Sequence, residues 1–178
     1  MNICIFASAS PVDQKYLDAV EALGFALGRA GHSLVFGGYA DGLMKAAADG
    51  FARAGAEVIG VVSELFEGTQ ARQPGLSRVI MTKDLPERKR EMTRVSDAFI
   101  AAPGGVGTLD EMFSVLSLKS VGQIPGRVLF YNVFGFWDGI LGAMERMRAE
   151  GFIRDDLKDG YAAADTPDAV LRYLSDPQ

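Results

Sequence analysis

The sequence predicts an α/β fold: a single-domain, Rossmann-like, doubly wound and mainly parallel sheet flanked by helices. Three observations point there. Short apolar runs alternate from end to end with segments of helical period. Two glycine-rich turns, Gly37-Gly38 through Gly42 and Gly104 through Thr108, each sit between a strand-like run and a helix-like one. No internal repeat, low-complexity tract or linker divides residues 1–178, so one Rossmann-like domain is expected.

The elements follow in order. Asn2 to Ala7 reads as a buried strand. Asp13 to Ala30 reads as a helix, with Tyr16, Leu17, Val20, Leu23, Ala26 and Leu27 recurring at helical spacing and Gly31 closing it. Ser33 to Phe36 is a second strand, Leu43 to Ala54 a helix and Glu57 to Val62 a third strand. Ser63 to Ser77 is polar, contains Gly68, Pro74 and Gly75 and has no period; it is expected to be a loop, mobile over a site. Arg78 to Thr82, Ala98 to Ala102 and Val128 to Asn132 read as strands. Helices are expected over Pro86 to Val95, Leu109 to Ser120 and Trp137 to Arg148. A short strand near Tyr161 to Ala164 and a helix after Pro167 complete the pattern. Strands separated by helices must cross over, and right-handed crossovers cover both faces of the sheet. Ligands of such sheets bind beyond the carboxyl ends of the strands.

Composition narrows the function. A net charge of −5 gives no electrostatic case for nucleic acid. No apolar run is long enough to span a bilayer, so no membrane partner is expected. The N-terminus enters a strand-like run without a basic segment, which does not read as a signal peptide, and a cytoplasmic location is expected. The single cysteine, Cys4, excludes an intrachain disulfide and a cysteine-based zinc site; its apolar surroundings suit a small buried hydrophobe. The single histidine, His32, excludes a multi-histidine metal site.

The glycine turns carry the chemistry. Glycine lets backbone approach a phosphate closely, and the first amides of the following helix point at it. Thr108 adds a hydroxyl donor. Neither turn is a dinucleotide fingerprint or a P-loop, which disfavours hydride transfer and ATP hydrolysis. Thr108-Leu109-Asp110-Glu111 also fits a helix capping box, so Glu111 has two readings at this point: a cap, or a carboxylate one turn from a phosphate cradle. Glu87-Arg88-Lys89-Arg90-Glu91 is a charge run whose Glu87–Arg90 and Glu91–Arg94 spacings suit a solvated helix face. A guanidinium at this sheet edge could equally grip phosphate or ribose. Phe134, Phe136 and Trp137 suit core packing or a subunit contact better than base stacking.

Taken together, Glu87-Arg88-Lys89 and Pro103-Gly104-Gly105-Val106-Gly107-Thr108-Leu109-Asp110-Glu111 resemble the LOG ("Lonely Guy") family, cytokinin riboside 5'-monophosphate phosphoribohydrolases often labelled lysine decarboxylases. Ile3-Cys4-Ile5-Phe6, Leu34 to Gly38, Gly42-Leu43-Met44, Val58 to Val61 and Gly135 to Asp138 extend the resemblance over most of the chain. Ser8-Ala9-Ser10, Tyr39, Lys45, Leu85-Pro86, Ser117 and Leu118 depart from the usual pattern, which bears on substrate preference.

The resemblance implies hydrolysis of the N-glycosidic bond of a nucleoside 5'-monophosphate, AMP or an N6-modified AMP. It implies Arg88 and Glu111 as catalytic residues. Gly37, Gly38, Lys89, Gly104, Gly105, Val106, Gly107, Thr108 and Ser117 would bind substrate. It implies no cofactor and no metal, and a homodimer formed near the helices that carry Arg88 and Leu109 to Ser120. The alternative from another class is a non-catalytic nucleotide-binding or cofactor-carrier protein on the same fold.

Overall fold

Strand β1 (Asn2–Phe6) shows why the sheet needs two helical layers. Its side chains alternate: Ile3 and Ile5 enter one apolar core, Cys4 and Phe6 the other. β5 (Ala98–Ala101) divides likewise, Ala98 and Ile100 against Phe99 and Ala101. A strand buried on both faces reads as a continuous apolar run, as these do.

The computed structural model describes residues 1–69, 71–153 and 160–176. The remaining strands are β2 (Ser33–Phe36), β3 (Val58–Ser63), β4 (Arg78–Thr82), β6 (Arg127–Tyr131) and β7 (Ala162–Ala164). They join in the order β4-β3-β2-β1-β5-β6-β7, and every pairing is parallel. The expected mainly parallel sheet is therefore parallel throughout. Helices α1 (Gln14–Arg29), α2 (Gly42–Arg53) and α6 (Pro167–Ser175) cover one face. Helices α3 (Leu85–Arg94), α4 (Val106–Ser120) and α5 (Asp138–Ala149) cover the other. The chain winds outward from β1 through β2, β3 and β4, then returns to place β5 on the other side of β1. The topological switch point thus lies between the carboxyl ends of β1 and β5.

Two expectations need correction. First, α4 begins at Val106, three residues before the expected Leu109, with Gly105 as its N-cap and no side-chain cap bond. Thr108 is then inside the first turn, and the Thr108–Glu111 capping box does not form. The device appears instead on α3. The Asp84 carboxylate accepts from the Glu87 amide at 2.7 Å, while Glu87 reaches back to the Lys83 amide at 2.7 Å. Glu87 is used there rather than on Arg90, whereas Glu91 and Arg94 do pair, at 2.7 Å.

Second, the stretch from Ser63 to Ser77 is tethered. It carries a short 3-10 turn over Glu64–Phe66. It then pairs with the first glycine turn: the Ala40 amide donates to Ala71 O at 2.9 Å and the Gln73 amide to Gly38 O at 2.9 Å. Gln73 Nε2 also reaches Asp49 Oδ1 at 2.9 Å. Gln70, within this strap, lies outside the described residues.

In the aromatic trio, Phe136 meets Trp137 edge-on at 4.8 Å. Trp137 is buried and donates to Ala101 O at 3.1 Å. Phe134 and Phe136 stay exposed, edge-on to Tyr16 at 5.5 and 5.8 Å.

Candidate active site

The connections that follow β1 and β5 meet at the switch point, and a cavity of about 320 Å³ opens between them. Ala7, Ser8, Ala9 and Ser10, beyond β1, form one wall; Gly105, Val106, Gly107 and Thr108, at the start of α4, form another. Tyr39, Met44 and Phe66 close an apolar end, and Arg88 and Glu111 complete the lining.

The two glycine turns now separate. At the first, the Leu43 amide at the start of α2 donates to Ser8 O at 2.8 Å, so this helix end is already occupied by protein. At the second, the first intrahelical bond runs from the Leu109 amide to Gly105 O at 3.0 Å. The amides of Val106, Gly107 and Thr108 therefore have no intrahelical partner, and they lie at the cavity. The Thr108 side chain is packed under this turn. A Cβ at Gly104 would stand 2.1 Å from Thr108 Oγ1, so glycine is required for the turn to fold over it.

Arg88 reaches the same cavity from α3. Its Nε donates to Val61 O at 2.8 Å, which fixes the guanidinium against the end of β3. A Cβ at Gly37 would lie 2.0 Å from Arg88 Nη2, so the first turn serves Arg88 by making room for it. Gly38, at φ +80°, packs on Val62 and Gly60 behind the cavity surface. Arg88 Nη1 stands 3.5 Å from Glu111 Oε1, with the two side chains only 10% and 16% exposed.

That separation exceeds a charge-assisted hydrogen bond of about 2.7–2.9 Å, so neither group saturates the other. Burial pushes the Glu111 carboxyl up to about 7, with Asp110 adding to the rise, although Arg88 and then Lys89 pull the other way. The loss of hydration outweighs the nearby cations. A carboxyl so placed changes its charge near neutral pH. It has no hydrogen-bond donor among the described residues besides the Arg88 contact. Behind it, burial and then the Glu111 charge hold the Cys4 thiol well above its ordinary range.

Lys89 and Ser117 go elsewhere. One residue on from Arg88 the helix turns by about 100°. Lys89 faces α4, bonding Asp110 at 2.8 Å and Ser114 at 3.2 Å. With Ser117 it lines a separate groove of about 780 Å³, whose apolar wall includes Pro86, Val106, Leu109, Phe113 and Leu118. Sequence reasoning does not single out Ser8, Tyr39, Met44 or Phe66 as site residues. The switch-point rule, applied to the residues just beyond β1 and β2, would have found Ser8 and Tyr39. Phe66 had no signal, because the strap has no period.

No group of three or more His, Cys, Asp or Glu side chains among the described residues is placed to hold a metal. No helix among them is long and apolar enough to cross a membrane.

A parallel α/β sheet with an open helix N-terminus and a buried arginine–glutamate pair at its switch point belongs to the class of α/β proteins whose geometry suits an anionic ligand beside a carboxyl. The family model described as "Possible lysine decarboxylase" matches residues 44–174. Over 176 residues the chain is 35% identical to the cytokinin riboside 5'-monophosphate phosphoribohydrolase LOG of Oryza sativa subsp. japonica, covering 98% of this chain and 73% of that one. It is 31% identical to LOG1 of Arabidopsis thaliana, named for the same activity, covering 98% and 83%. The chain belongs to the LOG family, whose curated members are phosphoribohydrolases. The molybdenum cofactor carrier protein of Chlamydomonas reinhardtii shares the fold, with a TM-score of 0.73 at 20% identity over 97% of this chain and 94% of that one.

Proposed function

We propose that this protein hydrolyses the N-glycosidic bond of a nucleoside 5'-monophosphate, AMP or an N6-modified AMP, giving free base and ribose 5-phosphate. The observation that carries the reading is one cavity holding both an open helix N-terminus and the Arg88–Glu111 pair. The 5'-phosphate sits on the amides of Val106, Gly107 and Thr108, with Gly104 and Gly105 shaping the turn. The ribose lies at Arg88 and Glu111, and the base points to Tyr39, Met44 and Phe66. Phosphate binding remote from the reacting bond orients the sugar.

The bond from C1' to the base nitrogen breaks, and the base leaves with the electron pair and takes up a proton. Positive charge develops on the sugar and is stabilised by ionised Glu111. Water adds at C1' and loses its proton to Glu111 or to solvent. Gly37 keeps Arg88 in place and Gly38 supports the turn. Lys89 steadies α4 through Asp110, and Ser117 lies in the groove where a second copy would dock. The protein acts as a cytoplasmic homodimer and uses no cofactor or metal.

Chromatography of AMP and isopentenyladenosine monophosphate incubated with the protein tests this directly. Free base should appear, and Glu111→Ala should lower its release by at least about 10²-fold with the fold intact. Full activity in that variant would end the catalytic assignment. Saturable nucleotide binding without base release would instead favour the nucleotide- or cofactor-carrier alternative.

A further inference from the structure

We infer that Tyr39 is a positioning residue for Arg88, its ring forming the face of the cavity against which the guanidinium is held opposite Glu111. Tyr39 is 3% exposed, although it follows a glycine turn at the edge of a cavity. Its hydroxyl donates to Ser63 O at 3.1 Å and accepts from the Ser63 amide at 3.3 Å. Both backbone atoms of the residue that ends β3 are thereby engaged by one side chain, which fixes the ring at its far end. Phe66 packs edge-on against it at 5.7 Å. The flanking backbone is tied to the strap by the Ala40–Ala71 and Gln73–Gly38 bonds. The ring therefore cannot swing without breaking contacts on three segments.

Arg88 Cζ lies 5.9 Å from the centre of this fixed ring, within the range of a cation–π contact. The other restraints on Arg88 act elsewhere on the group: Val61 O holds Nε, and Gly37 leaves space at Nη2. Neither prevents the guanidinium from tilting away from Glu111 into the cavity. The Tyr39 ring, at the apolar end of that cavity, supplies the missing constraint.

The inference builds on the proposed reaction, but its test needs no turnover. The charged groups that act on Glu111 are Arg88 and Lys89 on α3 and Asp110 on α4, with the neutral Cys4 thiol on β1 facing it. Arg88 is the strongest of them in lowering the Glu111 pKa. Burial acts more strongly still and in the opposite sense, so a change that admits water lowers the Glu111 midpoint, whereas a rise reports the loss of Arg88. The midpoint can be followed by carbon-13 NMR of labelled glutamate, with Glu111→Gln assigning the signal.

Tyr39→Leu, which removes the ring, should raise that midpoint by about 0.5 unit or more as Arg88 moves off. Tyr39→Phe, which keeps the ring, should leave it within about 0.2 unit of the parent. If Tyr39→Leu fails to fold, Tyr39→Met fills the same space without a π face and should show the same rise. A folded Leu or Met variant with an unchanged midpoint overturns the inference. If the protein turns over nucleotide, kcat should also fall several-fold in the same variant. If it releases no base, the proposed reaction fails while the Glu111 titration still decides this point.

Discussion

Arg88 and Glu111 are costly residues to bury, and their arrangement shows how the fold accommodates them. Arg88 has a backbone acceptor for Nε, and the missing side chain at Gly37 leaves room for Nη2, so rigid elements fix where the guanidinium lies. Glu111 is less well served. With a carboxyl raised from an ordinary 4.5 to about 7, it weakens the folded state wherever it is ionised. Below pH 4.5 both folded and unfolded chains hold the proton, and there is no difference between them. From 4.5 to 7 the unfolded chain ionises first, so stability falls with rising pH. Above 7 the loss levels off, at on the order of 3 kcal/mol. Glu111→Gln has no such titration. Urea unfolding should therefore find the variant close to the parent at pH 4.5 and clearly more stable at pH 8. An equal offset at both pH values would show that the carboxyl is not raised. A residue that destabilises its own fold at neutral pH is the kind of departure expected at a reactive site.

At the scale of elements, the site depends on where helices start and how closely they pack. α1 and α2 approach so tightly that a Cβ at Gly50 would stand 2.3 Å from Glu21 O, and one at Gly24 2.5 Å from Ala47 O. Gly50→Ala should destabilise by about 1–3 kcal/mol, because backbone, not a flexible side-chain tip, must move. A thermal melt checks this, and an unchanged midpoint would mean that the helices separate freely. The strands and helices were legible in the sequence because each apolar run is short and each helix has one buried stripe. Arg88 and Glu111 were legible through motif and resemblance, but their contact across 22 intervening positions was not. The start of α4 was misplaced because Gly105, Val106 and Gly107 are poor helix formers. Here tertiary packing of Thr108 beneath Gly104 overrides propensity. The strap over Phe66 was unreadable for a different reason: backbone bonds to Gly38 and Ala40 hold it, and such bonds leave no side-chain pattern.

At the scale of the molecule, the cavity and the α3–α4 groove share one residue. Val106 is 84% exposed, yet it lines both. Phe113, exposed at 41%, lies further along the same groove with Leu109 and Leu118. An apolar strip on the outer face of two packed helices can be covered by the identical strip of a second copy about a two-fold axis. That is the homodimer we propose, and it has a consequence for the site. A partner seated on the groove would also cover Val106, removing water from the rim where the phosphate enters and strengthening the contacts made there. Phe113→Glu puts a charge in the strip without touching the cavity lining. Light scattering should give twice the chain mass for the parent and a single chain mass for the variant. Base release at limiting substrate should then fall by about tenfold, as the cavity rim becomes exposed to solvent. A parent that is monomeric would refute the dimer, and a monomeric variant with full kcat/KM would show that each cavity is complete within its own chain.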